Sequence, residues 1–330
     1  MARYLMRINR NFLSTCLIFL IFVSGVFGFI GNLEAREVGI AYTTFHNWKK
    51  AWGTPLLGHY SADDPHVIQE HAKWLSGAGV DFIFIDWSND IDYVPDCGCR
   101  KDIEALETAT YTLADEYKKL EDHPKIAIML GIPGTPEAIE DGRLQKKADQ
   151  VYRDFVRNPN RAALYQKYEG KPLLIVYVGT PSPFKRSLPN WNDPRFTVRW
   201  LTGFVSQQPN LLLDNQVSKY GYLSWEDRGP QTYTMLGGHP EAMTITASWR
   251  PDSNARIAGR TRMGGDTFRE EWQRAIDKKV DLALVVSWNE WALSEQKSAE
   301  GSKDIEPSIE FKDFYLRLLA KEIARFKRAD

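Results

Sequence analysis

Apolar positions along this chain come in strand-length runs, and stretches with helical spacing separate them. Residues 38–44 form the first run. The second, 81–87, carries Phe82-Ile83-Phe84-Ile85, apolar on both faces. Further runs at 125–131, 172–178, 197–204, 220–225, 242–248 and 282–287 complete a set of eight. Between them, 67–78, 103–120, 144–156 and 268–278 repeat their apolar residues at helical intervals, and a terminal helix covers 309–326. Residues 160–168 read as a further helical turn or two. Strands apolar on both faces and alternating with helices predict a parallel sheet covered on both sides. Eight of them fit a closed α/β (β/α)8 TIM barrel better than an open doubly wound sheet. The Gly-rich loop that an open dinucleotide-binding sheet carries after its first strand is missing as well. Such a barrel takes ~250 residues as one domain. The expectation is therefore a single barrel domain over 36–330, with the long connections after strands two, four and seven on its active face.

The first 35 residues read differently. Arg3, Arg7 and Arg10 precede an apolar run from Phe12 to Ile30, the pattern of a secretory signal peptide. Cleavage after Ala35 fits, with Leu33 and Ala35 at the positions a signal peptidase reads, and cleavage after Gly28 is the alternative. An uncleaved N-terminal membrane anchor is the runner-up. Either way the expected location of the barrel is secreted or periplasmic. Cys97 and Cys99, in Cys-Gly-Cys, read as a local loop feature in an oxidising compartment, since a disulfide between residues so close would be strained.

Composition narrows the chemistry. A net charge of −1 offers no basic footprint for nucleic acid. The chain lacks a Gly-x-Ser-x-Gly elbow, a phosphate loop and a His-Glu-x-x-His pair, and its 6 histidines are scattered. No metal or cofactor is expected, and a monomer is.

The predicted strand ends carry the candidate chemistry, because barrel enzymes act at the C-terminal rim. The eighth run ends in Ser287-Trp288-Asn289-Glu290-Trp291. A carboxylate among indoles suits a sugar, which offers C–H faces for stacking and hydroxyls for hydrogen bonds. Strand one delivers Tyr42, His46 and Trp48; strand two, Asp86 and Trp87; strand six, Trp225, Glu226 and Asp227; strand seven, Trp249. Glycoside hydrolysis commonly uses two carboxyl groups. Glu290 is the first choice, and its structural alternative is an ion pair with a barrel Arg or Lys. Glu295, Asp86, Asp227, Glu226 and Glu306 compete as partner. Asp86 has its own structural alternative, capping a loop through backbone N–H groups. His46 and Asn289 are candidates for orienting hydroxyls. Trp87, Trp225, Trp249, Trp288 and Trp291 are candidate stacking platforms or rim packing.

Three blocks carry a resemblance. The first runs from Gly58-His59-Tyr60-Ser61 through Asp64-Pro65 and Trp74 to Ala78-Gly79-Val80-Asp81 and Asp86-Trp87. The second is Trp272-Gln273-Arg274-Ala275 leading to Ser287-Trp288-Asn289-Glu290-Trp291, and the third is Ile305-Glu306-Pro307. In these the chain resembles the extracytoplasmic barrel proteins grouped with glycoside hydrolase families 71 and 99. The likeness covers the front and back of the barrel region and only loosely its middle. Family 99 comprises retaining endo-α-mannosidases, whose Asn-Glu-Trp-His-Glu block supplies two carboxylates. The first acts on the sugar 2-hydroxyl and corresponds to Glu290. The second is the general acid/base and corresponds to Leu293, which cannot transfer a proton. Ala292 stands in place of the family's His. The resemblance therefore implies a barrel that handles carbohydrate, with Glu295 or another rim carboxylate replacing the missing group. A hydrolase of poly- or oligosaccharides is the leading expectation. A catalytically inactive glycan-binding barrel and a transferase in polysaccharide assembly are the alternatives.

Overall fold

A computed structural model describes residues 36–92, 100–132, 135–179, 187–203, 217–218, 220–225, 231–249, 259–291 and 298–329. They belong to one compact unit, Arg36–Asp330. Residues 1–35, with the signal segment and Cys16, lie outside the described residues, as do Cys97 and Cys99. Among the described residues no helix is long and apolar enough to cross a membrane.

Ten strands form one sheet. They are β1 (Glu37–Tyr42), β2 (Phe82–Trp87), β3 (Lys125–Gly131), β4 (Lys167–Tyr168), β5 (Lys171–Tyr177), β6 (Thr197–Thr202), β7 (Leu223–Ser224), β8 (Tyr233–Leu236), β9 (His239–Thr246) and β10 (Leu282–Val286). Eight of these pair in parallel in the order β7-β6-β5-β3-β2-β1-β10-β9. The ends of that row meet where the Thr244 hydroxyl donates to the Ser224 carbonyl oxygen, joining β9 to β7. The sheet is thus a nearly closed barrel of parallel strands, and it uses the eight apolar runs expected from the sequence. Two short antiparallel strands are added: β4 against β5 and β8 against β9. β4 occupies part of the stretch expected to be helical at 160–168, of which only a 3-10 turn at Ala162–Leu164 is helix. Antiparallel pairing with Pro172 and Lys171 takes over Lys167 and Tyr168.

Side-chain alternation divides each strand between two cores. Ala41, Phe82, Phe84, Ala127, Met129, Leu173, Ile175, Leu201, Leu223, Leu282, Leu284 and Val286 fill the barrel interior. Ile40, Ile83, Ile85, Ile126, Ile128, Leu174, Val176, Ile245 and Val285 face the helices. Gly39 makes the inner layer fit, because a Cβ there would lie 2.3 Å from the Phe82 ring.

The helices are α1 (Pro65–Ala78), α2 (Arg100–Tyr117), α3 (Arg143–Val151), α4 (Asp266–Lys278) and α5 (Phe314–Arg328). α1 starts where Asp64 caps the His66 N–H, with Pro65 at the first helical position. It stops at Gly79, whose φ of 86° suits glycine. Its buried face (Val67, Ile68, His71, Ala72, Leu75, Ala78) packs on the barrel and against α5. α5 begins five residues later than the pattern suggests, because a tight turn around Ser308 and Lys312 precedes it.

Candidate active site

In-phase alternation on β2 takes Phe82 and Phe84 into the barrel and sets Asp86 above them at its C-terminal end. Trp225, just past β7, closes the interior from above. Its ring meets Phe84 edge-on at 6.3 Å and Tyr177 at 6.2 Å. The Lys303 ammonium lies 5.2 Å over the Trp225 ring and 2.9 Å from Glu290 Oε2. The Glu290 side chain is 31% exposed and that of Lys303 13%. Burial raises the pKa of Asp86; its hydrogen bonds with Ser88 and the positive charge of Lys303 offset this only in part. The mouth thus brings together an indole face, an ammonium ion and two carboxyl groups in unlike surroundings. Asp86 also accepts the Ser88 N–H at 2.8 Å and Glu290 also pairs with a lysine, so each has the structural partner that its residue type suggested.

Glu290 stands on a loop braced by the segment 302–306. Val286–Ser287 is a cis peptide bond. The buried Asp304 carboxylate accepts the Glu290 N–H (2.9 Å), the Trp291 N–H (2.9 Å), Trp52 Nε1–H (2.8 Å), the Ser302 hydroxyl (3.1 Å) and the Ser287 hydroxyl. Backbone N–H groups of Ile305 and Glu306 donate to the Trp288 carbonyl oxygen at 3.2 and 2.9 Å. Trp291 has φ of 56°, unusual for a bulky residue. It is held there by Asp304, by its indole N–H on Glu306 (2.6 Å) and by stacking on Trp52 at 4.6 Å. Arg262 supports the brace from beneath. Its guanidinium donates to the carbonyls of Ala299 and Asp304, and Trp52, Phe311 and Tyr315 surround it. Burial lowers its pKa.

Several rim residues expected to touch substrate sit in the packed layer instead. Tyr42 follows Ala41 and so faces outward, where its hydroxyl donates to His71 Nδ1 at 2.9 Å. Trp87 and Trp288 are fully buried; the Trp87 indole N–H donates to Thr110, and Trp288 lies against His71. Trp291 is 2% exposed. Asn289, also buried, spends its side chain on the Thr43 backbone, accepting the N–H at 2.8 Å and donating to the C=O at 3.0 Å. Glu306 is buried and shared by Tyr60, Trp291 and His71. These positions hold the rim together, and no open face is left on them for a solute. Trp249 is 7% exposed, with the Arg260 guanidinium 5.5 Å above its ring.

His46 and Trp48 form the rim next to Glu290. His46 Nε2–H donates to the Asn289 carbonyl at 2.9 Å, and its buried Nδ1 has no hydrogen-bond partner. Burial pushes its pKa down to about 4, so the ring is neutral near pH 7. Trp48 is sandwiched between His46 and His59, each at 4.8 Å. Glu226, Asp227, Ala292, Leu293 and Glu295 lie outside the described residues.

Lys303, Asp304 and Arg262 were not singled out by sequence reasoning. The block that carried the resemblance began at Ile305, directly after the two residues that contact Glu290. Among the described residues no group of three or more His, Cys, Asp or Glu side chains is arranged to hold a metal ion.

No family profile matches the sequence, and no curated protein matches it significantly. Solved structures do match. The fold is shared with family 99 endo-α-mannosidase. The enzyme of that family from Bacteroides thetaiotaomicron, in complex with bis-tris-propane, matches with a TM-score of 0.55 and 14% identity over 89% of this chain and 98% of that one. A second structure of the Bacteroides thetaiotaomicron enzyme gives a TM-score of 0.56 and 13% identity over the same shares. At such identity the likeness is one of fold.

Proposed function

We propose that this protein is a glycoside hydrolase that cleaves a poly- or oligosaccharide outside the cytoplasm, with Asp86 and Glu290 as its carboxyl pair. The observation that carries this is their contrast around one cation: Lys303 pairs with Glu290 over the Trp225 face, while the half-buried Asp86 at the end of β2 is desolvated and feels the same ammonium. Environments that push two carboxyl groups apart in acidity divide the roles of acid and base between them. Desolvation raises the Asp86 pKa, the direction that suits a group assigned to protonate the departing glycosidic oxygen. Glu290 Oε2 lies 2.9 Å from the Lys303 ammonium, a pairing that suits it to the role of base or nucleophile on the sugar. Trp225 is 8% exposed and carries the Lys303 ammonium over its ring, and Lys303 is placed to release Glu290 to an incoming hydroxyl.

This division takes the catalytic burden off the position of Leu293. The test is release of reducing sugar from a polysaccharide panel, α-mannans and α-glucans included. Glu290→Gln and Asp86→Asn should each lower turnover by about 10²–10⁴-fold. Turnover retained in both variants would reject the assignment. A second reading, a barrel that binds glycan without cleaving it, draws on the same ion pair, since Lys303 can hold Glu290 in a purely structural role. Glycan affinity without hydrolysis anywhere in the panel would favour it.

A further inference from the structure

A second group of charged side chains lies on the helix side of β2, apart from the one around Glu290. Lys147 of α3 donates to Asp90 at 2.7 Å, to Glu107 of α2 at 2.7 Å and to Gln150 at 3.2 Å, which occupies all three ammonium protons. The same ammonium lies 5.8 Å over the Trp87 ring. Asp90 is the deepest member, with 1% of its side chain exposed against 21% for Glu107 and 20% for Lys147. Burial raises its pKa to about 7, although the charge of Lys147 works in the opposite direction.

Asp90 opens the 3-10 turn Asp90–Asp92, in the stretch of chain that leaves β2 through Asp86. The residues around it are fixed at several points. Trp87 donates its indole N–H to Thr110 of α2 at 2.9 Å. The Ser88 N–H donates to Asp86 Oδ1 at 2.8 Å, and the Ser88 backbone lies so close to β3 that a Cβ at Gly131 would sit 2.3 Å from its carbonyl oxygen. Arg143, one turn before Lys147 on α3, donates to the Ile91 carbonyl oxygen at 3.4 Å. The segment 86–91 is thus gripped by α2 and by α3, and Lys147 joins the two grips.

Burial shows what Lys147 does there. A carboxylate as enclosed as that of Asp90 needs a counter-charge in contact. Without the ammonium it either takes up a proton or turns out to water, and in both cases the charged bond between the turn and α3 is gone. The turn can then draw Ser88 away from β3, and with it the N–H that favours the charged form of Asp86.

We propose that Lys147 is a positioning residue for Asp86: through Asp90 it holds the turn that keeps the Ser88 N–H on the Asp86 carboxyl group. The purpose of this hold rests on the reading of Asp86 as proton donor, but the hold itself is tested without turnover.

The experiment is amide hydrogen exchange at Ser88, followed by NMR in the full chain at pH 8, with turnover of the polysaccharide panel measured beside it. Lys147→Met keeps the stem and removes the charge. It should speed Ser88 exchange about tenfold and lower kcat about tenfold, with KM changed less than about twofold. Lys147→Arg, which keeps the charged bonds, should stay within about threefold of wild type in both. Asp90→Asn should speed Ser88 exchange at least about threefold, and the double variant should be no worse than Lys147→Met, because residues acting in series do not add. Unmoved Ser88 exchange in Lys147→Met, or additive effects in the double variant, would overturn the proposal. Should Lys147→Met fail to fold, Asp90→Asn decides: faster Ser88 exchange supports the hold and unmoved exchange overturns it. Ser88 responding as expected while Asp86→Asn keeps full turnover sinks only the hydrolase assignment. Turnover lost in Asp86→Asn with Ser88 indifferent to Lys147→Met sinks only the positioning role.

Discussion

Replacing Asp304 with Asn changes one oxygen to an NH2 group and is nearly isosteric, so its effect isolates hydrogen bonding in the brace. Two serine hydroxyls among the five donors to Asp304 can rotate to become acceptors. The Glu290 N–H, Trp291 N–H and Trp52 Nε1–H cannot. If the new NH2 took the Oδ2 position, Trp291 and Trp52 would both face a donor. In the Oδ1 position it confronts only the Glu290 N–H, so this orientation is preferred. One buried N–H is then left unsatisfied, at ~1–3 kcal/mol. The other two bonds lose their charge assistance, at about 1 kcal/mol each by the difference between charged and neutral bonds. The sum is about 3–5 kcal/mol. At roughly 2 °C per kcal/mol for a large domain, the Tm should fall by about 6–10 °C. Differential scanning calorimetry of the two proteins side by side checks this. A fall of less than ~2 °C would show that the loop holding Glu290 does not depend on Asp304 and would refute the brace.

Other perturbations probe other layers. Lys303→Met removes the ammonium whose charge lowers the Asp86 pKa, so that pKa should rise further. The basic limb of the pH–activity profile, set by the proposed proton donor, should move to higher pH, and an unmoved limb would argue against Asp86 in that role. Gly131→Ala would set a Cβ 2.3 Å from the Ser88 carbonyl oxygen, against backbone that cannot yield cheaply, whereas a Cβ at Gly77 in α1 meets nothing within 4 Å. In urea titrations the first should cost about 3 kcal/mol and the second should stabilise by ~0.5–1 kcal/mol; equal effects would contradict the packing described. His46 has a folded pKa of about 4 against an ordinary 6.5, so the unfolded chain binds its proton first as pH falls. Its contribution is complete above pH 6.5 and lost on the way down to pH 4, worth ~3 kcal/mol across that window. His46→Gln should flatten stability between those pH values, and a slope unaltered by the substitution would contradict a buried neutral ring.

Much of the architecture was legible in local pattern. Runs such as Phe82-Ile83-Phe84-Ile85 are apolar on successive residues because a barrel strand is buried on both faces, and that property survives in one dimension. Asp64-Pro65 and Gly79 likewise mark the ends of α1 through backbone chemistry confined to a few residues. Residues 160–168 were less transparent: a short strand there pairs with β5, and nothing local distinguishes it from a helical turn.

The site was legible by type and illegible by direction. The indole-rich stretch around Glu290 lies directly after β10, at the C-terminal end of the parallel strands. Which way each ring faces depends on strand phase and on the path after Val286. Ala41 takes the inward position on β1, so Tyr42 faces the helices. Trp288 packs outward although Leu282, Leu284 and Val286 face inward. Asn289 closes on Thr43, some 246 residues away in sequence. Lys303 and Asp304 matter only because the chain returns to lay them against Glu290. Burial on two faces and the chemistry of helix ends are properties of neighbours along the chain, and the sequence by itself determined them. The ion pair over Trp225, the Asp304 brace and the acidity of Asp86 arise between residues that only folding brings together, and the tertiary structure alone decided those.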